Sequence, residues 1–162
     1  MSDDLNEIRE VMQDPDWRVA TCVHEAGHVY YARRAGAVDF RYHGPLEYPE
    51  RPGDFGSAAV GPVFPKEGLK VDLLDIAKWY AAGGVVMRRL VPDFATEDCD
   101  ANDLDVFKDD IRKRSPEISD ATLQNYWVQA QSGIERDLRK PALRRELWAL
   151  AREIEQKIPW GG

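Results

Sequence analysis

Two cysteines, Cys22 and Cys99, are all the thiols this 162-residue chain has. They are too few for a disulfide scaffold and share no metal-site spacing. No apolar run approaches the ~20 residues that a membrane span needs. The N-terminus, Met1-Ser2-Asp3-Asp4, is acidic and polar, the opposite of a secretory signal, so the expected compartment is the cytoplasm. Positive charge is not in excess either. Lys and Arg number 22 against 29 Asp and Glu, a net charge of -7, which speaks against a nucleic-acid partner. Basic residues do gather at Arg112-Lys113-Arg114 and between Arg136 and Arg145, but acidic residues interleave with them in helical sequence. They read as solvated helix faces. Histidine is scarce: His24, His28 and His43 are the full set. What is present, 43% hydrophobic and 31% charged residues, is the balance of a soluble globular domain with one core.

Residues 3–13 can form a short amphipathic helix through Leu5, Ile8, Val11 and Met12. Asp14-Pro15 then supplies an N-cap and a first-position proline, predicting a helix from Pro15 to Ala35 that Gly36 stops. Glycine and proline concentrate between Gly36 and Gly68, where five of the ten prolines lie. There Val38, Phe40 and Tyr42 alternate with polar residues, predicting a strand with one buried face, and Phe55 to Val63 supplies its partner. Helical spacing resumes at about Asp72 and runs to Pro92 through Ile76, Trp79, Tyr80, Gly83, Val86, Met87 and Leu90. An acidic loop over 93–100 precedes a helix from Ala101 to Arg114. Ser119 caps the next, through Leu123, Trp127, Ile134 and Leu138, and Pro141 opens the last, through Leu147 to Ile158. There is no internal repeat or linker. The reading is one domain over residues 1–162, mainly α with a small β element (α+β).

The chemistry concentrates in Val23-His24-Glu25-Ala26-Gly27-His28, an HExxH sequence inside the first long predicted helix. Residues four apart lie one turn along the same face, so the two imidazoles can grip one tetrahedral zinc ion per chain. Glu25 projects beside them and can take a proton from a water whose pKa the metal lowers towards ~7. A histidine on a helix is ordinarily packed or solvated. Here two of only three flank a glutamate at ligand spacing. Cys22, about 200° round the helix from His24, faces away and reads as core. The five tryptophans likewise fall mostly at apolar helical positions.

A catalytic zinc site needs a third protein ligand and an open position. His43, at the glycine-rich end of the predicted strand, is one candidate; Glu97, Asp98, Asp100, Asp103 and Asp105 are the others. Composition does not choose among them.

His24-Glu25-Ala26-Gly27-His28 resembles the active-site helix of the FtsH-type zinc metalloproteases, the M41 peptidase family. That family's third ligand is an aspartate in a pattern like small-Ser/Ala-Asn-Asp-Leu, preceded by a helix with an Ala-Gly-Gly-like element. This chain has Ala81-Ala82-Gly83-Gly84-Val85 and then Asp100-Ala101-Asn102-Asp103-Leu104, with Asp103 lying 75 residues after His28. The resemblance spans about 19–111, implies a zincin-like helical metallopeptidase domain, and singles out Asp103. Asp103 has a second reason to be acidic. With Asp100 as N-cap it occupies the third helical position, where a carboxylate favours the helix dipole. The family also passes substrate along a strand after the active-site helix. An extended peptide can add to such a strand, and Tyr42 or His43, close to it in sequence, is a candidate to bind it and polarise its carbonyl, although a structural turn role is the stronger reading of both.

The chain departs from the family in having no GxxxxGK[ST] phosphate loop. The expectation is a stand-alone, ATP-independent zinc metallopeptidase acting on peptides or unstructured protein, unless a separate unfoldase delivers folded substrates in trans. Its rival is a zinc-binding regulatory or interaction module that keeps the fold without proteolysis. Hydrolysis of a non-peptide amide would use the same chemistry.

Overall fold

The structure, a computed structural model, describes residues 15–44, 59–66, 72–95 and 100–160. The expected helix over 3–13, the Asp14 cap of the helix that follows it, the first part of the second strand, and Glu97 and Asp98 lie outside these residues. Within them the chain is mostly helical with one small antiparallel sheet. In chain order the elements are α1 (Pro15–Arg34), β1 (Asp39–His43), β2 (Ala59–Val63), α2 (Leu73–Leu90), a 3-10 turn (Pro92–Phe94), α3 (Ala101–Arg114), α4 (Asp120–Asp137) and α5 (Pro141–Lys157). No helix among the described residues is long and apolar enough to cross a membrane.

The helix boundaries follow local chemistry. α1 ends where Gly36 takes φ 103°, a left-handed conformation that costs glycine nothing. The Gly36 N–H then donates to the Arg33 carbonyl at 3.0 Å and the Ala37 N–H to that of Ala32 at 2.9 Å, satisfying the open carbonyls. α2 starts at Asp72, whose carboxylate accepts from the Asp75 N–H at 3.0 Å. Ser119 does the same for α4, accepting from the Thr122 N–H at 3.1 Å.

α1 packs between α2 and α5, and α4 covers another face of α2. The α1–α2 seam is rich in small residues: Ala26, Gly27, Ala81 and Ala82 are all buried, and Gly27 lies against Ala82. A methyl group at Gly27 would stand 2.7 Å from the Ala82 carbonyl oxygen, so the motif's glycine lets the two backbones approach. Larger side chains fill the outer layers. Phe107 from α3, Leu123 and Ile134 from α4, and Leu147 and Ile154 from α5 are fully buried. Trp127 is buried as the sequence predicts, and Trp79, Trp148 and Trp160 pack against the core half-covered.

β1 and β2 pair antiparallel with Tyr42 opposite Val60 and His43 opposite Ala59. Phe40 and Tyr42 lie against the core as the alternation predicts, but Val38 does not: it is 67% exposed. Val38 stands one residue outside the paired segment, where its N–H still donates to the Val63 carbonyl at 2.8 Å. The alternation therefore begins to bury side chains only at Phe40.

Candidate metal centre

Three helices meet at one point. α1 brings His24 and His28, α3 brings Asp103 from its first turn, and α2 lies between them. The His24 and His28 Nε2 atoms are 3.0 Å apart; Asp103 Oδ2 lies 3.4 Å from the first and 3.2 Å from the second. Zinc–ligand bonds of about 2.0–2.1 Å at a tetrahedral angle put ligand atoms about 3.3 Å apart, so this triangle has the dimensions of one face of a zinc tetrahedron. Among the described residues it is the one grouping of His, Cys, Asp and Glu with atoms close enough to share an ion.

Hydrogen bonding shows what the triangle lacks. The His28 Nδ1–H donates to the Trp79 carbonyl at 2.8 Å, leaving the Nε2 lone pair of the neutral ring directed into the cluster. Asp103 Oδ2 is buried, and no donor reaches it in good hydrogen-bond geometry; its polar neighbours are the two imidazole nitrogens. Electron-rich atoms converging in a half-buried place repel one another unless a cation, proton or metal, sits among them. The donor set, two imidazoles and a carboxylate, is one that zinc accepts.

In the metal-free protein that cation is a proton on His28. Burial by itself lowers the His28 pKa, but the charge and contact of Asp103, with Glu25 and the Trp79 carbonyl, outweigh it and hold the group at about 9. Asp103 responds in the opposite sense. Burial raises its pKa, yet the His28 charge and both imidazole contacts hold it well below the usual carboxylate range. Zinc must therefore displace a proton that stays bound up to about pH 9. Apparent zinc affinity is expected to fall about tenfold per pH unit as pH drops from 9 towards neutrality, read by competition with a chelator. Without metal the dependence reverses. The raised His28 pKa contributes stability that is full below 6.5 and lost as pH rises through about 9, so the metal-free melting temperature should decline across that window.

Glu25 points towards β2. Its Oε2 accepts from the Val60 N–H at 3.0 Å, and the residue is 8% exposed. Burial raises its pKa, opposed by the His28 and His24 charges and the Val60 hydrogen bond. A carboxyl so placed is a stronger base than an exposed one, the direction that suits a group taking a proton from water.

α2 makes room for the cluster. A methyl group at Gly83 would stand 2.6 Å from His24 Nε2 and 2.8 Å from its Cε1, and would also collide with His28 Nε2. The glycine pair inside a helix was thus a signal of close approach that sequence reasoning used only as a landmark. The Trp79 carbonyl and the Val60 N–H were missed altogether. They act through backbone atoms, which leave no mark on residue type.

The remaining candidates lie elsewhere. His43 is outside the three-atom cluster, as is Asp105, which is exposed. Asp100 occupies the N-cap position of α3 without capping it; its carboxylate goes to Arg88 at 3.0 Å and Gln131 at 3.3 Å. Tyr42 packs against the core with the Lys157 ammonium 5.4 Å from its ring centre. Cys22 is buried in the core, and burial pushes its thiol up to about 12. Compared with protein families, with curated proteins and with solved structures, the chain matches none.

Proposed function

We propose that this chain is a zinc metallopeptidase with a zincin-like, FtsH-like domain, in which His24, His28 and Asp103 hold the metal and Glu25 is the general base. The observation that carries the proposal is the triangle of His24 Nε2, His28 Nε2 and Asp103 Oδ2, with sides of 3.0, 3.2 and 3.4 Å, beside a buried glutamate. The three sequence landmarks of the family resemblance lie on α1, α2 and α3, and those helices adjoin at this cluster.

Bound zinc would supply Lewis acidity, polarising a substrate carbonyl and lowering the pKa of a water towards ~7. The chain's own groups do the rest. Glu25 takes the proton of the attacking water and returns it to the leaving amine. The Val60 N–H aims that carboxylate, and the Trp79 carbonyl fixes the His28 ring. An extended peptide suits a site bordered by a strand, and Tyr42 and His43 on β1 are the residues proposed to border it. Substrates would be flexible peptides or unstructured protein segments in the cytoplasm.

The test is zinc content by mass spectrometry on untagged wild type, His24→Ala and Asp103→Ala. About one zinc per chain in the wild type, lost or greatly weakened in both variants, is expected. Zinc retained at wild-type affinity by Asp103→Ala would remove the three-ligand site and with it the family reading.

One observation favours the rival reading, a zinc-stabilised interaction module. Glu25 is almost fully covered and already engaged by Val60. Turnover separates the two, since a module binds zinc and cleaves nothing.

A further inference from the structure

An aspartate at an N-cap ordinarily turns its carboxylate onto the first free N–H groups of its own helix. Asp100 does not. Its backbone starts α3, with the Leu104 N–H donating to its carbonyl at 3.0 Å, but its side chain makes no capping bond. The carboxylate instead reaches outward, accepting from Arg88 Nη2 of α2 at 3.0 Å and from Gln131 Nε2 of α4 at 3.3 Å. The side chain is only 13% exposed. α2 is cut away to admit it, because a methyl group at Gly84 would stand 2.6 Å from Asp100 Cβ and 3.0 Å from its Cγ. The two adjacent glycines therefore divide the work: Gly83 clears the imidazoles and Gly84 clears Asp100.

Asp103 follows three residues later, on the neighbouring position of the same helix face. The fully buried side chains of α3, Phe107 and Ile111, lie further along the helix, and in the first turn only the half-buried Leu104 packs against the core. Held at its start by Leu104 alone, the first turn could shift, and a ligand constellation tolerates only about 0.5 Å of misplacement. We propose that Asp100 is a positioning residue, tying the start of α3 to Arg88 and Gln131 so that Asp103 meets His24 and His28. The proposal rests on the metal-site reading above and adds to it a residue that touches neither metal nor substrate.

The experiment measures zinc affinity by chelator competition, together with the melting temperature of the metal-free protein, for wild type, Asp100→Ala, Asp100→Asn and Asp105→Ala. Outer contacts that orient a ligand are worth about 10–100-fold in metal affinity, and a loss in that range is expected for Asp100→Ala. Asp100→Asn, which keeps an oxygen for Arg88 and Gln131, should recover part of it. Asp105→Ala removes an exposed carboxylate from the same helix and should stay within about twofold, because a solvated charge is screened. Should Asp100→Ala fail to fold, the Asp100→Asn comparison with Asp105→Ala decides alone. Zinc binding by Asp100→Ala within twofold of wild type would overturn the positioning role while leaving the metal site standing. Equal losses in Asp100→Ala and Asp105→Ala would overturn it too, since net charge would then be the cause. A wild type that takes up no zinc would sink the metal site itself, and this inference with it.

Discussion

Glu25→Gln is expected to lower peptide hydrolysis by about 10²- to 10⁴-fold while zinc stays bound at wild-type stoichiometry. The substitution is close to isosteric. The glutamine oxygen can still accept the Val60 N–H, so the contact with β2 at 3.0 Å need not be lost. What disappears is a group able to take a proton from water and hand it to the departing amine. Burial also pushes the Glu25 pKa up, the direction that suits a base. That shift also has a sign for stability. A carboxyl whose folded pKa lies above its ordinary value weakens the fold as pH rises past that ordinary value. Metal-free Glu25→Gln should therefore melt above metal-free wild type at neutral pH. Cleavage of quenched fluorescent peptides and denatured proteins, measured beside zinc content, checks both halves. Full turnover with metal retained would show that another group is the base. A wild type that binds zinc and cleaves nothing, with a stabilised Glu25→Gln variant, would instead point to the interaction module.

How far the sequence could be read depended on whether a feature resided in side-chain pattern or in backbone placement. Helices announced themselves through caps and apolar spacing: Gly36, Asp72, Ser119 and Pro141 each mark a boundary within a residue of its observed place. The β element was legible in Phe40 and Tyr42, but not its exact start, since an alternation of types does not say where pairing begins. His24 and His28 follow from helical arithmetic alone, four residues making one turn. Asp103 does not. Nothing in the acidic stretch distinguishes it by chemistry from Asp100 or Asp105, and it was reached only through the family resemblance. The structure separates the three by position: Asp103 lies against the imidazoles, Asp100 against Arg88 and Gln131, and Asp105 is exposed. The contacts that orient the site, from Trp79 and Val60, run through peptide groups that every residue carries.

Gly83→Ala should cost the protein its zinc, with affinity falling at least about a hundredfold, although alanine is the better helix former by roughly 1 kcal/mol. The new methyl group would lie where His24 Nε2 is 2.6 Å away, inside the distance real carbon contacts show, and would meet His28 as well. Both imidazoles are held from behind, His28 by its bond to Trp79 and both by a helix packed closely through Gly27. They cannot retreat without disturbing the ligand triangle. Overpacking of this kind costs about 1–3 kcal/mol, so the propensity gain is offset and the metal-free protein should be no more stable than wild type. Gly133→Ala supplies the contrast. There the added methyl meets Lys78 Cε at 2.9 Å and Nζ at 3.3 Å, the far end of a flexible side chain on another helix. That chain can swing aside, so the same substitution should leave zinc affinity unchanged and raise the melting temperature, by up to ~1 kcal/mol of stability. Zinc titrations and thermal melts on the two variants separate helix propensity from site geometry, because propensity acts alike at both glycines and only Gly83 faces the ligands. If Gly83→Ala bound zinc as tightly as wild type, the imidazoles would not be packed against α2, and the ligand triangle would have to be built another way.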